Sequence, residues 1–192
     1  EMCIRDRFIN VHNHLSLPTA AKENAIDDAL AMASEVCAMY PGAYSKLPEA
    51  GILVLLDEET ITPYESVKAG WLLQKLLKEI ETTNLYRFFL STCVCSEKPS
   101  ESSDKLLVES VSKNERALGL RIASLTKADS ISLSKSLFGK LNDAQQESCQ
   151  LLEHPVLNDL ANSQDIYALS PTLPEEETIQ EQVNMILGFK SD

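Results

Sequence analysis

Two short sets of residues in this sequence have types and spacings that could bind a metal ion. His12 and His14 stand two positions apart, so on a strand their imidazoles would lie on the same face. Cys93 and Cys95 have the same spacing within a strand-like run. A third candidate, the acidic run 57–59, follows an apolar stretch and offers the carboxylates that hard cations prefer.

Each of these sets also has an interpretation without a ligand, and the sequence favours it. A zinc site at the cysteines would need two further soft ligands, and His12, His14 and His154 show no matching pattern. We therefore expect Cys93 and Cys95 to be small buried apolar residues, the histidines to be surface or edge residues, and 57–59 to be a solvated loop. No metal site and no cofactor is predicted.

The cysteines and the charge balance narrow the classes of protein further. The five cysteines show no disulfide spacing and the given residues contain no secretory h-region, which predicts a reducing compartment. The formal charge is −12, with 29 acidic residues against 17 basic ones. That balance argues against nucleic-acid binding and against direct contact of this segment with an anionic membrane. Apolar runs such as 52–56 are too short to cross a bilayer.

The two ends of the 192-residue chain differ from its middle. Residues 1–7 resemble an adapter-derived peptide of the kind found at the ends of genes assembled from environmental reads, and we predict that they are a non-native leader. From Glu153 onwards, the sequence contains eight acidic residues and one basic residue, Lys190. We therefore expect one domain at 8–170, followed by a weakly ordered acidic tail with a short helix at 171–192. On this interpretation the native chain extends further towards the N-terminus.

Hydrophobic periodicity and turn residues place the elements. Apolar residues at three- and four-residue steps predict a long helix that Pro41-Gly42 ends, and Thr62-Pro63-Tyr64-Glu65 has the pattern of a capped helix start. Two short apolar runs around a compact turn predict a hairpin. Strands are predicted at 8–17, 43–47, 52–56, 85–95, 106–112, 130–133, 150–157 and 165–169, and helices at 22–40, 62–82, 115–125, 134–141 and 175–187.

The order of these elements predicts an α+β fold. Strand, helix, two strands, helix and strand make a ferredoxin-like βαββαβ unit, which is an antiparallel sheet with helices on one face. The later elements are C-terminal additions to that unit. The last two strands are expected to pair as a hairpin.

Four local patterns, in order along this plan, resemble the catalytic domain of class III adenylate and guanylate (nucleotidyl) cyclases over residues 8–170. Tyr40-Pro41-Gly42-Ala43 is similar to the family's turn into its hairpin, and Lys46-Leu47-Pro48-Glu49-Ala50-Gly51 is similar to its Lys-x-x-Gly-Asp tip. Gly119-Leu120-Arg121-Ile122-Ala123-Ser124-Leu125-Thr126, followed by Ile131-Ser132-Leu133-Ser134, resembles its Asn-x-Ala-Ala-Arg-Leu helix and the Ile-x-x-Ser strand after it. Ile166-Tyr167-Ala168-Leu169 resembles its final strand.

The resemblance implies a metal-dependent chemistry whose residues can be checked one by one. The family uses two metal ions, held by an aspartate on the first strand and another at the hairpin tip. At the tip, that position is Ala50, and the neighbouring Glu49 points to the other face. The predicted first strand, 8–17, has no acidic residue, and its only polar candidates before Ser16 are Asn10, His12, Asn13 and His14.

The family's transition-state pair is also incomplete. Arg121 matches the arginine, but Ala117 stands four residues earlier where the family has asparagine. Arg121 is therefore the only retained catalytic candidate. Two other roles stay open for it, which are a phosphate contact and a surface or inter-subunit salt bridge.

These residues lead us to expect a non-catalytic cyclase-homology module. It would be a regulatory or dimerisation domain of a longer, membrane-anchored bacterial signalling protein, cytoplasmic or on the cytosolic side of the inner membrane, and a homodimer through its sheet and helix face. The alternative is an active nucleotide cyclase that converts ATP or GTP with unusual metal ligands. A third possibility, an unrelated ferredoxin-like binding module, would be favoured if the strands after Glu115 were absent.

Overall fold

A computed structural model of the chain describes residues 5–11, 18–48, 51–57, 59–83, 88–94, 111–126, 130–154 and 165–188. Its centre is a sheet of seven strands in the order β2-β3-β1-β4-β5-β7-β6. The neighbours are antiparallel except β4 and β5, which run parallel. The strands are β1 Arg5–Val11, β2 Gly42–Leu47, β3 Gly51–Leu56, β4 Phe88–Val94, β5 Ile131–Ser134, β6 Cys149–Leu151 and β7 Ile166–Leu169.

The first four strands have the order expected of a ferredoxin-like unit, with β1 and β3 in the middle. The predicted βαββαβ plan is therefore confirmed. β5, β7 and β6 extend the sheet beyond β4, so the additions after Glu115 are present. An isolated ferredoxin-like module would end at β4.

Local signals define most of the helices. In α2 the Thr62 hydroxyl accepts a bond from the Glu65 backbone N–H at 3.2 Å, and the Glu65 carboxylate accepts one from the Thr62 N–H at 2.7 Å, as predicted. Ser112 and Glu115 make the same reciprocal cap on α3. The helices are α1 Thr19–Met39, α2 Pro63–Thr83, α3 Lys113–Leu125, α4 Lys135–Phe138, α5 Asp143–Glu147 and α6 Leu173–Leu187.

The main core lies between the sheet and the helices α1, α2 and α6. β3 contributes Ile52, Val54 and Leu56 to it, and the single tryptophan, Trp71, is buried there as predicted. The indole N–H of Trp71 donates to the Leu169 carbonyl of β7 at 3.3 Å, so α2 is tied to the added strands as well. This face carries both helices of the βαββαβ unit.

Helix α3 covers the opposite face of the sheet. Ile131 and Leu133 of β5 point into the main core, so the intervening Ser132 points the other way. Its hydroxyl lies 2.6 Å from the hydroxyl of Thr126 at the end of α3. Ile122 of α3 packs against Ile166 of β7 on the same side. The added helix therefore lies across the sheet from α1 and α2.

The acidic C-terminal segment is not a weakly ordered appendage between residues 173 and 187. Ile179 and Val183 of α6 are buried in the main core, and the helix ends at Gly188 with φ of +70°. Acidic residues near the start of α6 bind α2, since Glu175 accepts a hydrogen bond from the Tyr64 hydroxyl and Glu176 pairs with Lys75 at 2.9 Å. The excess negative charge is compatible with burial because the apolar residues form one narrow stripe.

The first strand begins earlier than predicted. β1 spans Arg5–Val11, whereas the predicted strand begins at residue 8, so β1 includes the last three residues of the predicted leader. All seven of its residues pair with β4 and six of them pair with β3. The ends of a central strand depend on the lengths of the two strands with which it pairs. Local alternation of apolar and polar residues contains no information about those lengths. Residues 12–17 lie outside the described residues, and the foreign origin of the leader stays a prediction.

Three smaller predictions differ from the structure. Val111 and Ser112 are not in a strand, because Ser112 caps α3, and the rest of the predicted strand at 106–112 lies outside the described residues. The final hairpin forms, but its first strand stops at Leu151. Helix α5 was not predicted as a separate helix, since it has no apolar stripe and is held by the cap at Asn142.

Candidate functional site

The pairing of β1 with β3 bears on the metal positions that the cyclase resemblance implies, one on the first strand and one at the hairpin tip. Asn10, near the end of β1, is the register partner of Gly51, the first residue of β3. Gly51 directly follows Ala50 in the sequence. Of the polar candidates in the predicted first strand, Asn10 is the one that the structure describes, and it is paired with the residue that follows the tip position.

The longer β1 contains one acidic residue, Asp6, which corrects the expectation of a first strand with no acid. Asp6 pairs with Leu55 and Cys93, at the end of β1 far from Gly51. Asn10 is four positions further along β1, which corresponds to about 13 Å between the two Cα atoms. Asp6 is therefore not a substitute for the missing carboxylate at the hairpin end.

Arg121 lies on the solvent side of α3. The neighbouring Leu120 and Ile122 are buried against the sheet, whereas Arg121 and Ala117, one turn apart, are exposed. Among the described residues, no ion pair or side-chain hydrogen bond engages the Arg121 guanidinium, and the Ser124 hydroxyl donates only to its backbone carbonyl at 2.7 Å. The structure thus presents the retained arginine to solvent beside an alanine.

The cysteine and histidine candidates are not assembled into a metal site in the part of the chain that the structure describes, where no group of three potential ligands occurs. Cys37 and Cys149 are both half-buried. Burial raises the pKa of the Cys149 thiol, and its sulfur lies 3.3 Å from the Gln145 carbonyl oxygen. Cys93 falls on β4, whereas Cys3, Cys95, His12, Asn13, His14, Glu49 and Ala50 lie outside the described residues.

The acidic run after β3 is a turn, as the loop interpretation predicts for its described members. The Asp57 carboxylate accepts a bond from the Glu59 backbone N–H at 3.0 Å and another from the Thr60 hydroxyl at 3.1 Å. Its oxygens therefore order the connection that leads into α2. Glu58 lies outside the described residues.

Solved structures with the same fold are nucleotide cyclase domains. The adenylyl cyclase CyaB from P. aeruginosa aligns with a TM-score of 0.60 at 12% identity, over 91% of this chain and 96% of that one. The guanylyl cyclase Cya2 aligns at 0.59 and 16% identity, over 89% and 94%. A dimeric guanylyl cyclase domain from the aquatic fungus Blastocladiella emersonii aligns at 0.59 and 10% identity, over 88% and 96%. No protein-family model and no curated protein matches the sequence.

The chain therefore has the fold of adenylyl and guanylyl cyclase catalytic domains, and the predicted resemblance and fold class are confirmed. The described residues do not fit the two-metal centre that the resemblance implies. The residue at the hairpin-tip position is Ala50 in the sequence, and Asp6, the one acidic residue of β1, lies at the end of the strand away from Gly51, so β1 offers no carboxylate for Mg²⁺ beside that position. No helix among the described residues is both long enough and apolar enough to cross a membrane.

Proposed function

We propose that the chain is a non-catalytic cyclase-homology module, which serves as a regulatory or dimerisation domain within a longer signalling protein. The observation that carries this proposal is the junction between β1 and β3. Asn10 is paired with Gly51 there, and Ala50 precedes it. We infer that neither metal carboxylate of the resemblance is retained, since Ala50 stands at the tip position and the one acid of β1, Asp6, lies at the other end of that strand.

The surroundings of Arg121 support the same proposal. A guanidinium can stabilise negative charge that develops during a reaction, but it cannot itself activate a hydroxyl nucleophile. Ala117 replaces the amide that the resemblance pairs with it. An exposed arginine next to an alanine is better suited to contact a partner surface than to complete an active centre.

A dimer through the sheet and helix face is part of the proposal. The Blastocladiella emersonii guanylyl cyclase domain with this fold is described as dimeric. The wide sheet gives this chain the same framework, and Arg121 offers an exposed charge for an inter-subunit ion pair. We further propose that the module lies on the cytoplasmic side of a membrane-anchored protein, and that the intact gene encodes a membrane-spanning segment upstream.

A direct assay tests the absence of catalysis. The purified chain is incubated with ATP or GTP in the presence of Mg²⁺ or Mn²⁺, and cyclic nucleotide is quantified by mass spectrometry beside an active cyclase. We expect no product above the protein-free blank. Light scattering on the same preparation is expected to give at least twice the chain mass of 21.3 kDa.

Formation of a cyclic nucleotide would contradict the proposal. If Arg121→Ala abolished that activity and Lys113→Ala, a control on the same helix, kept it, the alternative of an active cyclase with unusual metal ligands would be established. The exposed Arg121 is the observation that keeps this alternative. A monomer at all concentrations would remove the dimerisation role and leave the catalytic result unaffected.

A further inference from the structure

The strand β2 forms one outer edge of the sheet that the described residues make. It is six residues long and contains no proline, and its one charged residue is Lys46. Gly42, Ala43 and Lys46 are exposed, and the Tyr44 side chain is 40% exposed. A regular edge of this length with a single charged residue is a template for pairing with another strand.

The hydrogen-bond pattern shows which residues direct their backbone groups outwards. The Asp57 N–H donates to the Pro41 carbonyl at 2.9 Å, so Pro41 and Asp57 form a hydrogen-bonded pair in the β2–β3 ladder. Hydrogen-bonded pairs alternate along an antiparallel ladder. The N–H and C=O groups of Gly42, Tyr44 and Lys46 therefore point away from β3.

We propose that β2 pairs antiparallel with β2 of a second copy of this chain, about a twofold axis at Tyr44. In this register Tyr44 is opposite Tyr44 of the second copy, and Gly42 is opposite Lys46. All three outward-facing residues of each strand are then hydrogen-bonded. The two sheets become one continuous sheet across the pair.

The residues of β2 favour this register and a second copy as the occupant. A shift that centres the axis on Lys46 leaves a single hydrogen-bonded pair and brings two ammonium groups together. Axes at Ala43 or Ser45 leave two pairs instead of three. With the axis at Tyr44, each lysine faces a glycine and Ala43 faces Ser45 of the other copy, so neither charge nor bulk opposes contact.

This edge differs from the sheet and helix face of the proposed homodimer, and its pairing does not require that the module be non-catalytic. The two surfaces can therefore be tested separately. Tyr44→Glu places two carboxylates directly opposite each other across the axis, whereas Leu151→Glu adds the same charge on the other outer strand, where Leu151 is 51% exposed.

Association is measured by sedimentation equilibrium on the full chain, with circular dichroism to verify folding. We expect Tyr44→Glu to weaken association by about tenfold and Leu151→Glu to leave it unchanged. An unchanged association constant in folded Tyr44→Glu would overturn edge pairing, even if a dimer through the sheet and helix face remained. A wild-type chain that stays monomeric would overturn it as well.

Cross-linking gives a second measurement that does not depend on destabilising the pair. The Cα atoms of Tyr44 and its symmetry mate would lie about 5.5 Å apart, which suits a disulfide. Mild oxidation of Tyr44→Cys is expected to give more covalent dimer than two controls treated in the same way. The controls are the wild type, which has five native cysteines, and Leu151→Cys. No increase over these controls would contradict the register.

Discussion

At the scale of single residues, the function depends on what stands at the junction of β1 and β3. The chain has 29 acidic residues, yet Ala50 stands at the hairpin-tip position of the resemblance, and we infer that Asn10 corresponds to the position on the first strand. The one acid of β1, Asp6, pairs with Leu55 at the far end of the ladder. We propose that the framework of the site is retained, because the register pairs Asn10 with Gly51, the residue after Ala50.

Restoring the carboxylates tests whether that framework is intact. We expect the double variant Asn10→Asp/Ala50→Asp to bind Mn²⁺ at least about tenfold more tightly than the wild type, because two carboxylates on neighbouring strands can share a cation. Isothermal titration calorimetry measures the affinity.

The control for this experiment carries the same added charge in a different place. In Asn10→Asp/Ala31→Asp the second carboxylate is on the exposed side of α1. Equal affinity in the two double variants would mean that the gain is non-specific electrostatics, and the inferred correspondence of Asn10 and Ala50 with the metal positions would be wrong.

At the scale of elements, α6 shows how an acidic segment becomes part of the core. Its buried residues are Ile179 and Val183, and its outer side carries Glu177 and Glu181. The Lys75–Glu176 ion pair is partly exposed, so it contributes little to stability. The apolar stripe is therefore what holds the helix against α2.

Truncation of that stripe should destabilise the whole domain. Val183 is fully buried, and Val183→Ala is expected to lower the free energy of unfolding by about 2 kcal/mol, because two methyl groups are lost and a cavity remains. Urea denaturation followed by circular dichroism measures the change.

Met185 on the same helix is the matched control, since it is 66% exposed. Met185→Ala should change the free energy of unfolding by no more than about 0.5 kcal/mol. If Val183→Ala also had no effect, α6 would be an independent appendage, as its acidity alone indicates.

The elements also show which features can be predicted from sequence. The start of α2 was correct because Thr62, Pro63 and Glu65 act on backbone groups within one turn. The predicted start of β1 was wrong because it depends on the pairing with β3 and β4, which lie 40 to 90 residues away. The side of the sheet that α3 covers was not evident, since an amphipathic helix fits either face.

At the scale of the whole molecule, the βαββαβ unit and the added strands share one sheet and one core. β4 and β5 join the two parts by a parallel contact, with Ser91 beside Ser132. Helix α2 crosses that boundary, since Gln74 donates to the Ser130 carbonyl at 3.0 Å and Trp71 donates to that of Leu169. We therefore expect the two parts to unfold together.

The single tryptophan makes this expectation measurable. Trp71 is 1% exposed at the contact between α2 and β7, so its fluorescence reports on the boundary, whereas far-ultraviolet circular dichroism reports on all helices. The two urea transitions should have the same midpoint. Separate midpoints would show that the added strands detach before the βαββαβ unit unfolds.

The sequence by itself determined the helix caps and the hairpin, and it placed Ala50 at the hairpin-tip position of the resemblance, because these depend on residue identity and on neighbours a few positions away. Only the tertiary structure decided that Asp6 lies in β1 far from Gly51, that Arg121 faces solvent and that α6 belongs to the core. Those features arise from strand register and from packing between elements distant in the chain, which no local pattern contains.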